Sequence, residues 1–255
     1  MAAIPKSPAH GPLAVEARPG EEAAALIFAP LAYGEAPRCG LFGDTRVGKT
    51  HNAERLIREY LARSLGIVAV VDDKYPDRAQ YSGQCYARPV DLNTIEPAPD
   101  PRVLVFRGDA AQNLPAEPDE VAGYCWALRG RRRPSLLVLD ELNHPHLTTN
   151  GMWCSGVEQV PRTFWQGGGA GIGCIWGAQS PQDAPRAAFE QSSIIVCHKL
   201  AGLGLRKLRE LDYCDAEAAA VVQRFPGDEV PPNQRGHFVV LQRGKSWNGA
   251  IYRWR

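Results

Sequence analysis

Residues 43–50 read Gly43-Asp44-Thr45-Arg46-Val47-Gly48-Lys49-Thr50, a complete G-x-x-x-x-G-K-T. The setting is the one this motif requires. The apolar run RCGLF at 38–42 reads as a strand ending on Gly43, and HNAERLIREYLA, from His51 onward, reads as an amphipathic helix directly behind the lysine. Gly43 and Gly48 let the backbone curl, so that successive N–H groups and the positive end of the helix converge on one point. Such a nest suits a chain of phosphates. The candidate contact set is therefore Gly43, Asp44, Thr45, Arg46, Val47, Gly48, Lys49, Thr50 and His51. Within it Lys49 is placed to neutralise the β- and γ-phosphate oxygens of ATP, and Thr50 to offer its hydroxyl to Mg²⁺.

Outward from this loop, short β-rich runs alternate with longer amphipathic stretches, the pattern of an α/β fold with a mostly parallel central sheet flanked by helices. Strands are expected at 38–42, 66–71, 102–106, 135–139, 172–177 and 193–198, and helices at 49–64, 118–128, 155–166, 203–211 and 215–225. The runs IVAVV, VLVF, LLVL and SIIVC are continuously apolar, as strands covered on both faces must be. Right-handed crossovers then bring every strand's carboxyl end to one edge. At the C-terminus, GHFVVLQRG followed by NGAIYRW reads as a β-hairpin added to the sheet. Residues 1–34 are expected to be an N-terminal arm, with Pro5, Pro8, Pro12 and Pro19 in its first part, and 35–255 the folded body.

Two further segments carry chemistry. Ser135-Leu136-Leu137-Val138-Leu139 runs into Asp140-Glu141, so a buried strand delivers two adjacent carboxylates at its carboxyl end. Asp140 is read as holding the Mg²⁺ shell and Glu141 as the general base for an attacking water. The other segment, Ile172 to Pro181, is an apolar strand ending in Gln179. If that strand lies between those of the phosphate loop and of Asp140, Gln179 falls beside the γ-phosphate as a sensor.

Together these elements resemble the additional-strand, catalytic-glutamate class of P-loop ATPases. Within it they resemble the FtsK/HerA superfamily, above all the small genome-packaging ATPases of membrane-containing icosahedral viruses. The resemblance spans residues 36–215 and rests on GDTRVGKT, LLVLDE, GCIWGAQSP, and SIIVCHKL leading into GLRKLREL. It implies a RecA-like fold, ATP hydrolysis with Mg²⁺, and a homo-oligomeric ring, a hexamer being favoured. It further implies movement of double-stranded DNA through the ring, docking on a capsid vertex protein, and an arginine reaching each site from the neighbouring subunit. Arg206 matches that arginine best and Arg209 second. Asp44, beside the phosphates, and the doubled acid Asp72-Asp73 depart from the family's pattern. A P-loop ATPase of phage assembly or protein secretion, and a non-motor nucleotide-binding regulator, are the competing readings.

The remaining composition bounds these readings. A formal net charge of +1 on 255 residues excludes a uniformly basic, histone-like surface, so a polyanion must be met by local patches. Arg129-Gly130-Arg131-Arg132-Arg133 is one candidate, just before the Asp140 strand and therefore at the edge of the sheet away from the nucleotide. The basic and aromatic C-terminal stretch is read as packing its rings on the core. The glycine-rich run 167–173 is read as a mobile loop. Seven cysteines, with no C-x-x-C pair, read mainly as small core residues in a reducing compartment. No apolar stretch reaches the roughly 20 residues of a membrane span, and the expected location is cytoplasmic.

Overall fold

The computed structural model describes residues 16–44, 46–72, 81–86, 102–107, 116–130, 134–144, 146–227, 229–231 and 235–254. In chain order these form β1 (Arg18–Pro19), α1 (Gly20–Ile27), a 3₁₀ turn (Ala29–Tyr33), β2 (Arg38–Phe42), α2 (Lys49–Arg63), β3 (Ile67–Val71), β4 (Gln84–Tyr86) and β5 (Val103–Phe106). There follow α3 (Pro118–Gly130), β6 (Ser135–Leu139), β7 (Thr148–Thr149), β8 (Met152–Trp153), α4 (Gln159–Gln166), β9 (Ile172–Ala178), α5 (Arg186–Gln191) and β10 (Ile194–Cys197). The chain ends with α6 (Gly202–Glu210), α7 (Ala216–Gln223), β11 (Val239–Gln242) and β12 (Tyr252–Arg253).

Eight strands make one sheet in the order β11-β10-β2-β9-β6-β3-β5-β4, parallel throughout except for β11. The continuous apolar runs have the expected cause. Along β6, Leu137 and Leu139 enter the core layer under α3, α4, α5, α6 and α7, while Leu136 and Val138 enter the layer under α1 and α2. β3 divides Ile67, Ala69 and Val71 from Val68 and Val70 in the same way. Each leucine, isoleucine or valine so buried stabilises the fold by roughly 1.5–3 kcal/mol. Trp176, on β9, meets Phe42, Phe164 and Phe189 edge-on and donates its indole N–H to Ser192.

Several elements depart from the sequence reading. α4 begins at Gln159 rather than 155, because Asp119 on α3 accepts the N–H groups of Glu158, Gln159 and Val160 and so caps the helix there. The run 167–173 is folded down: Gly167 and Gly168 are buried, and a 3₁₀ turn, Gly168–Ala170, leads directly into β9. β11 joins the sheet, but β12 leaves it to run parallel with β1, and among the described residues Phe238 and Tyr252 form the one bridge between the two arms of the expected hairpin. The cause is Trp254, which packs against Gly20 and donates to Asn52 on α2, drawing the last strand onto the α1 side. Of the expected arm, residues 1–15 lie outside the described residues. In the rest, Ala23, Ala24, Ile27 and Phe28 are buried.

Five cysteines are buried, Cys85 is exposed and Cys154 half-buried, all of them free. Among the described residues no helix is long and apolar enough to cross a membrane.

Candidate functional site

The sheet register builds the site. Phe42 at the end of β2 pairs with Ala178 on β9, and Trp176, two residues earlier on β9, pairs with Leu139 on β6. The phosphate loop, Gln179 and Asp140-Glu141 therefore leave neighbouring strands at one edge. The condition set for Gln179 holds, since β9 lies between β2 and β6. Gln179 is exposed and Glu141 half-buried.

Gly43 takes φ +156° and Gly48 +105°, and a Cβ at Gly43 would stand 2.7 Å from both His198 Cβ and Val47 Cγ2. Only glycine lets the loop close in this way. Asp44 donates its backbone N–H to Lys199 O at 2.8 Å, which anchors the loop to the chain leaving β10. Val47 is buried, Arg46 is exposed at φ +62°, and Thr45 lies outside the described residues. Lys49 folds over the loop, its Nζ donating to Gly43 O at 2.5 Å and Asp44 O at 3.0 Å. His51 is exposed, and its imidazole is held below the ordinary histidine range by partial burial and then by Arg55.

On the β6 side Thr50 Oγ1 donates to Asp140 Oδ1 at 3.2 Å. The same carboxylate oxygen accepts the Tyr81 hydroxyl at 2.6 Å. Arg107, just past β5, donates to the Tyr81 carbonyl at 2.6 Å and pairs with the buried Asp72 at 3.2 Å. Asp73 lies outside the described residues.

On the β10 side the contacts are different in kind. His198 Nε2 lies 3.2 Å from Asn52 Nδ2, its Nδ1 lies 3.2 Å from the His237 carbonyl, and Asn52 Oδ1 accepts the Trp254 indole N–H at 3.0 Å. Burial, and then the charge of Lys49, push the His198 imidazole down to about 3. A neutral imidazole can donate from one nitrogen and accept at the other, as this chain of contacts asks. Arg235 donates to Arg46 O at 3.3 Å and to Val230 O at 2.6 Å, so the segment before β11 also leans on the phosphate loop. Lys199 pairs with Glu229 at 2.8 Å, and its ammonium with the Gly227 N–H holds the Glu229 carboxyl down to about 2.

The other expected residues lie apart. Arg206 is on α6 with its side chain 76% exposed, paired with Glu210 at 3.1 Å, and Arg209 is exposed on the same helix. Arg129 ends α3 near the amino edge of β6, 5.8 Å from the Trp126 ring, and Arg131, Arg132 and Arg133 lie outside the described residues. Tyr252 and Trp254 of the C-terminal stretch are buried. Tyr81, Asn52 and His198 carry no site role in the sequence reading, and Arg235 enters it only as one charge of the basic C-terminal stretch; no short motif marks these contacts, since each acts across a long sequence separation.

The residues fit the ligands the motif implies. A curled backbone at a helix N-terminus with a lysine over it suits a nucleoside triphosphate, and the oxygens of Thr50 and Asp140 suit a hard divalent cation such as Mg²⁺.

No protein-family model matches the sequence, and no curated protein matches it. Solved structures do. The genome-packaging NTPase B204 of Sulfolobus turreted icosahedral virus 2, in complex with ATP-gammaS, superposes with a TM-score of 0.57 at 16% identity, over 86% of this chain and 97% of that one. Its sulfate complex gives 0.59 at 17% identity, over 87% and 98%. B204 of Sulfolobus turreted icosahedral virus, described as a DNA-packaging ATPase, gives 0.58 at 15% identity, over 85% and 97%. The chain thus has a P-loop NTPase fold like theirs, which fits the FtsK/HerA-like resemblance of its motifs.

Proposed function

We propose that this chain is an ATPase of the FtsK/HerA kind which, as a ring with a hexamer favoured, moves double-stranded DNA in the manner of a viral genome-packaging motor. The observation that carries the reading is the register: Lys49 and Thr50, Asp140 and Glu141, and Gln179 issue from three adjacent strand ends in the order that phosphoryl transfer needs. The likeness to a genome-packaging NTPase solved with ATP-gammaS, over nearly that protein's whole length, supports it.

In this reading the residues of the phosphate loop, 43–51, hold the triphosphate, and Thr50 and Asp140 hold Mg²⁺. The bound Mg²⁺ supplies charge stabilisation to the departing phosphate. Lys49 gives up its loop carbonyls for the phosphate oxygens. Glu141 takes the proton of the attacking water, and Gln179 reads whether the γ-phosphate is present. Arg206, or Arg209 in its place, serves the neighbouring subunit's site; its exposure, with Glu210 of its own helix as its partner among the described residues, suits a residue meant for another chain. Arg129 and Arg131–133 would grip DNA phosphates without reading sequence. The chain would work in the host cytoplasm, docking on a capsid vertex protein.

The test mixes Lys49→Ala subunits with Arg206→Ala subunits. Each variant alone is expected to be inactive, and the mixture to recover part of the DNA-stimulated ATPase, because some interfaces then pair an intact loop with an intact arginine. No recovery from folded variants would remove Arg206 from the shared site. ATPase activity indifferent to double-stranded DNA, with no ring at any concentration, would overturn the motor.

A further inference from the structure

Asp140 Oδ1 accepts two hydroxyls, and the shorter bond comes from outside the motifs: Tyr81 Oη at 2.6 Å against Thr50 Oγ1 at 3.2 Å. Both ends of the Tyr81 bond are buried, at 4% exposure for the tyrosine and 7% for the aspartate. The ring sits in the core layer under α1 and α2. Its backbone carbonyl is gripped by Arg107, and Arg107 is tied to Asp72, whose side chain is fully buried and whose N–H donates to Phe106 O at 2.9 Å. Tyr81 is thus fastened to the ends of β3 and β5 and reaches with its hydroxyl to the end of β6.

A threonine that gives its oxygen to a cation keeps its proton on an acceptor, so Asp140 has to present its oxygen in a fixed direction. A carboxylate on a rotatable side chain does not do this unaided; a second donor to the same oxygen selects one rotamer. We propose that Tyr81 is a positioning residue for the divalent cation: by holding Asp140, and being held itself through Arg107 and Asp72, it sets how strongly Mg²⁺ tightens nucleotide binding. The proposal rests on the reading of Thr50 and Asp140 as the Mg²⁺ end of the site.

The test is a binding titration, independent of turnover, with a fluorescent ATP analogue on the full chain. Tyr81→Phe keeps the ring and removes the hydroxyl. Affinity for the analogue in EDTA is expected to equal that of the wild type, while the Mg²⁺ concentration giving half of the Mg²⁺-induced tightening rises about 10-fold. Coincident Mg²⁺ curves would overturn the proposal. So would an equal loss of affinity in EDTA, which would make Tyr81 a residue of the fold and not of the cation site. Arg107→Lys, which keeps a charge against Asp72 but lacks the forked reach to the Tyr81 carbonyl, is expected to shift the curve the same way by a smaller factor. Combined with Tyr81→Phe it is expected to add nothing, and additive losses would break the proposed link through Arg107. If the wild type itself shows no Mg²⁺ effect, the cation site is refuted and the proposal falls with it, an outcome distinct from a normal wild type matched by Tyr81→Phe.

Discussion

Thr50 and Asn52 stand in the same first turn of α2 and serve opposite sides of it. Two residues on a helix are about 200° apart around its axis, so the hydroxyl faces Asp140 while the amide faces His198. On the Thr50 side the partners are a carboxylate, a phenol and an arginine whose ion pair ends on Asp72. On the Asn52 side the groups are an amide, an imidazole, an indole and a backbone carbonyl, and the three side chains are buried. One side gathers charge where charge is to be transferred. The buried amide, imidazole and indole of the other are uncharged and fix the loop's position, with Arg235 and the Lys199–Glu229 pair outside them. The comparison teaches that a phosphate loop needs a wall as well as a workbench, and that removing groups from the two sides should have separable results.

The largest effect is expected on the charged side. Glu141→Gln keeps the shape of the residue and removes the base, so ATP hydrolysis is expected to fall by roughly 10²–10⁴-fold with nucleotide binding retained. Single-turnover hydrolysis beside equilibrium binding measures this. An unchanged slow rate would show that Glu141 is no base and would return the chain to the regulator reading.

The neutral side is expected to respond in stability. Asn52→Ala leaves the Trp254 indole N–H and the His198 ring nitrogen without the partner they share, and a buried polar group so orphaned costs about 1–3 kcal/mol. Urea unfolding is therefore expected to show a loss of roughly 2–6 kcal/mol, with the nucleotide affinity of the folded protein unchanged. A loss of affinity at unchanged stability would erase the distinction between the two sides.

This division was only half readable from the chain. Period and burial revealed β3, β5, β6 and β10, because a strand covered on both faces has to be apolar at every position. The motifs marked Lys49, Thr50, Asp140 and Glu141, whose spacing is local. Tyr81 bonds across 59 residues and Trp254 across 202, and no local rule places them. α1 was hidden by its short length and flanking prolines, whereas β7 and β8 carried a signal that went unused: Asn150-Gly151, at φ +52° and +72°, is the pair favoured in a two-residue hairpin turn.

The imidazole on the neutral side gives the comparison a pH axis. His198 stays neutral in the fold down to about 3, whereas in the unfolded chain it takes a proton near its ordinary 6.5. Between these values the unfolded state binds the extra proton, so stability falls as pH falls. One such group accounts for about 2 kcal/mol between about pH 6.5 and 5. His51, His144 and His237, also lowered, act in the same direction. His198→Gln is therefore expected to flatten the slope of unfolding free energy against pH over that window without abolishing it. An unaltered slope would mean that the imidazole is not held neutral.

The smallest effect tests the boundary of the molecule. Arg206 belongs to neither side of α2: its side chain is 76% exposed and its guanidinium is tied to Glu210 one turn along α6. An exposed pair at this spacing contributes about 0.3–0.5 kcal/mol, so Arg206→Ala is expected to leave the unfolding midpoint of the isolated subunit almost unmoved. The same substitution is expected to remove most of the ATPase of the assembled ring. A residue that contributes so little to its own fold, lies away from its own phosphate loop and yet governs turnover is one that acts on another chain, whereas a large stability loss in Arg206→Ala would make it one more residue of the wall.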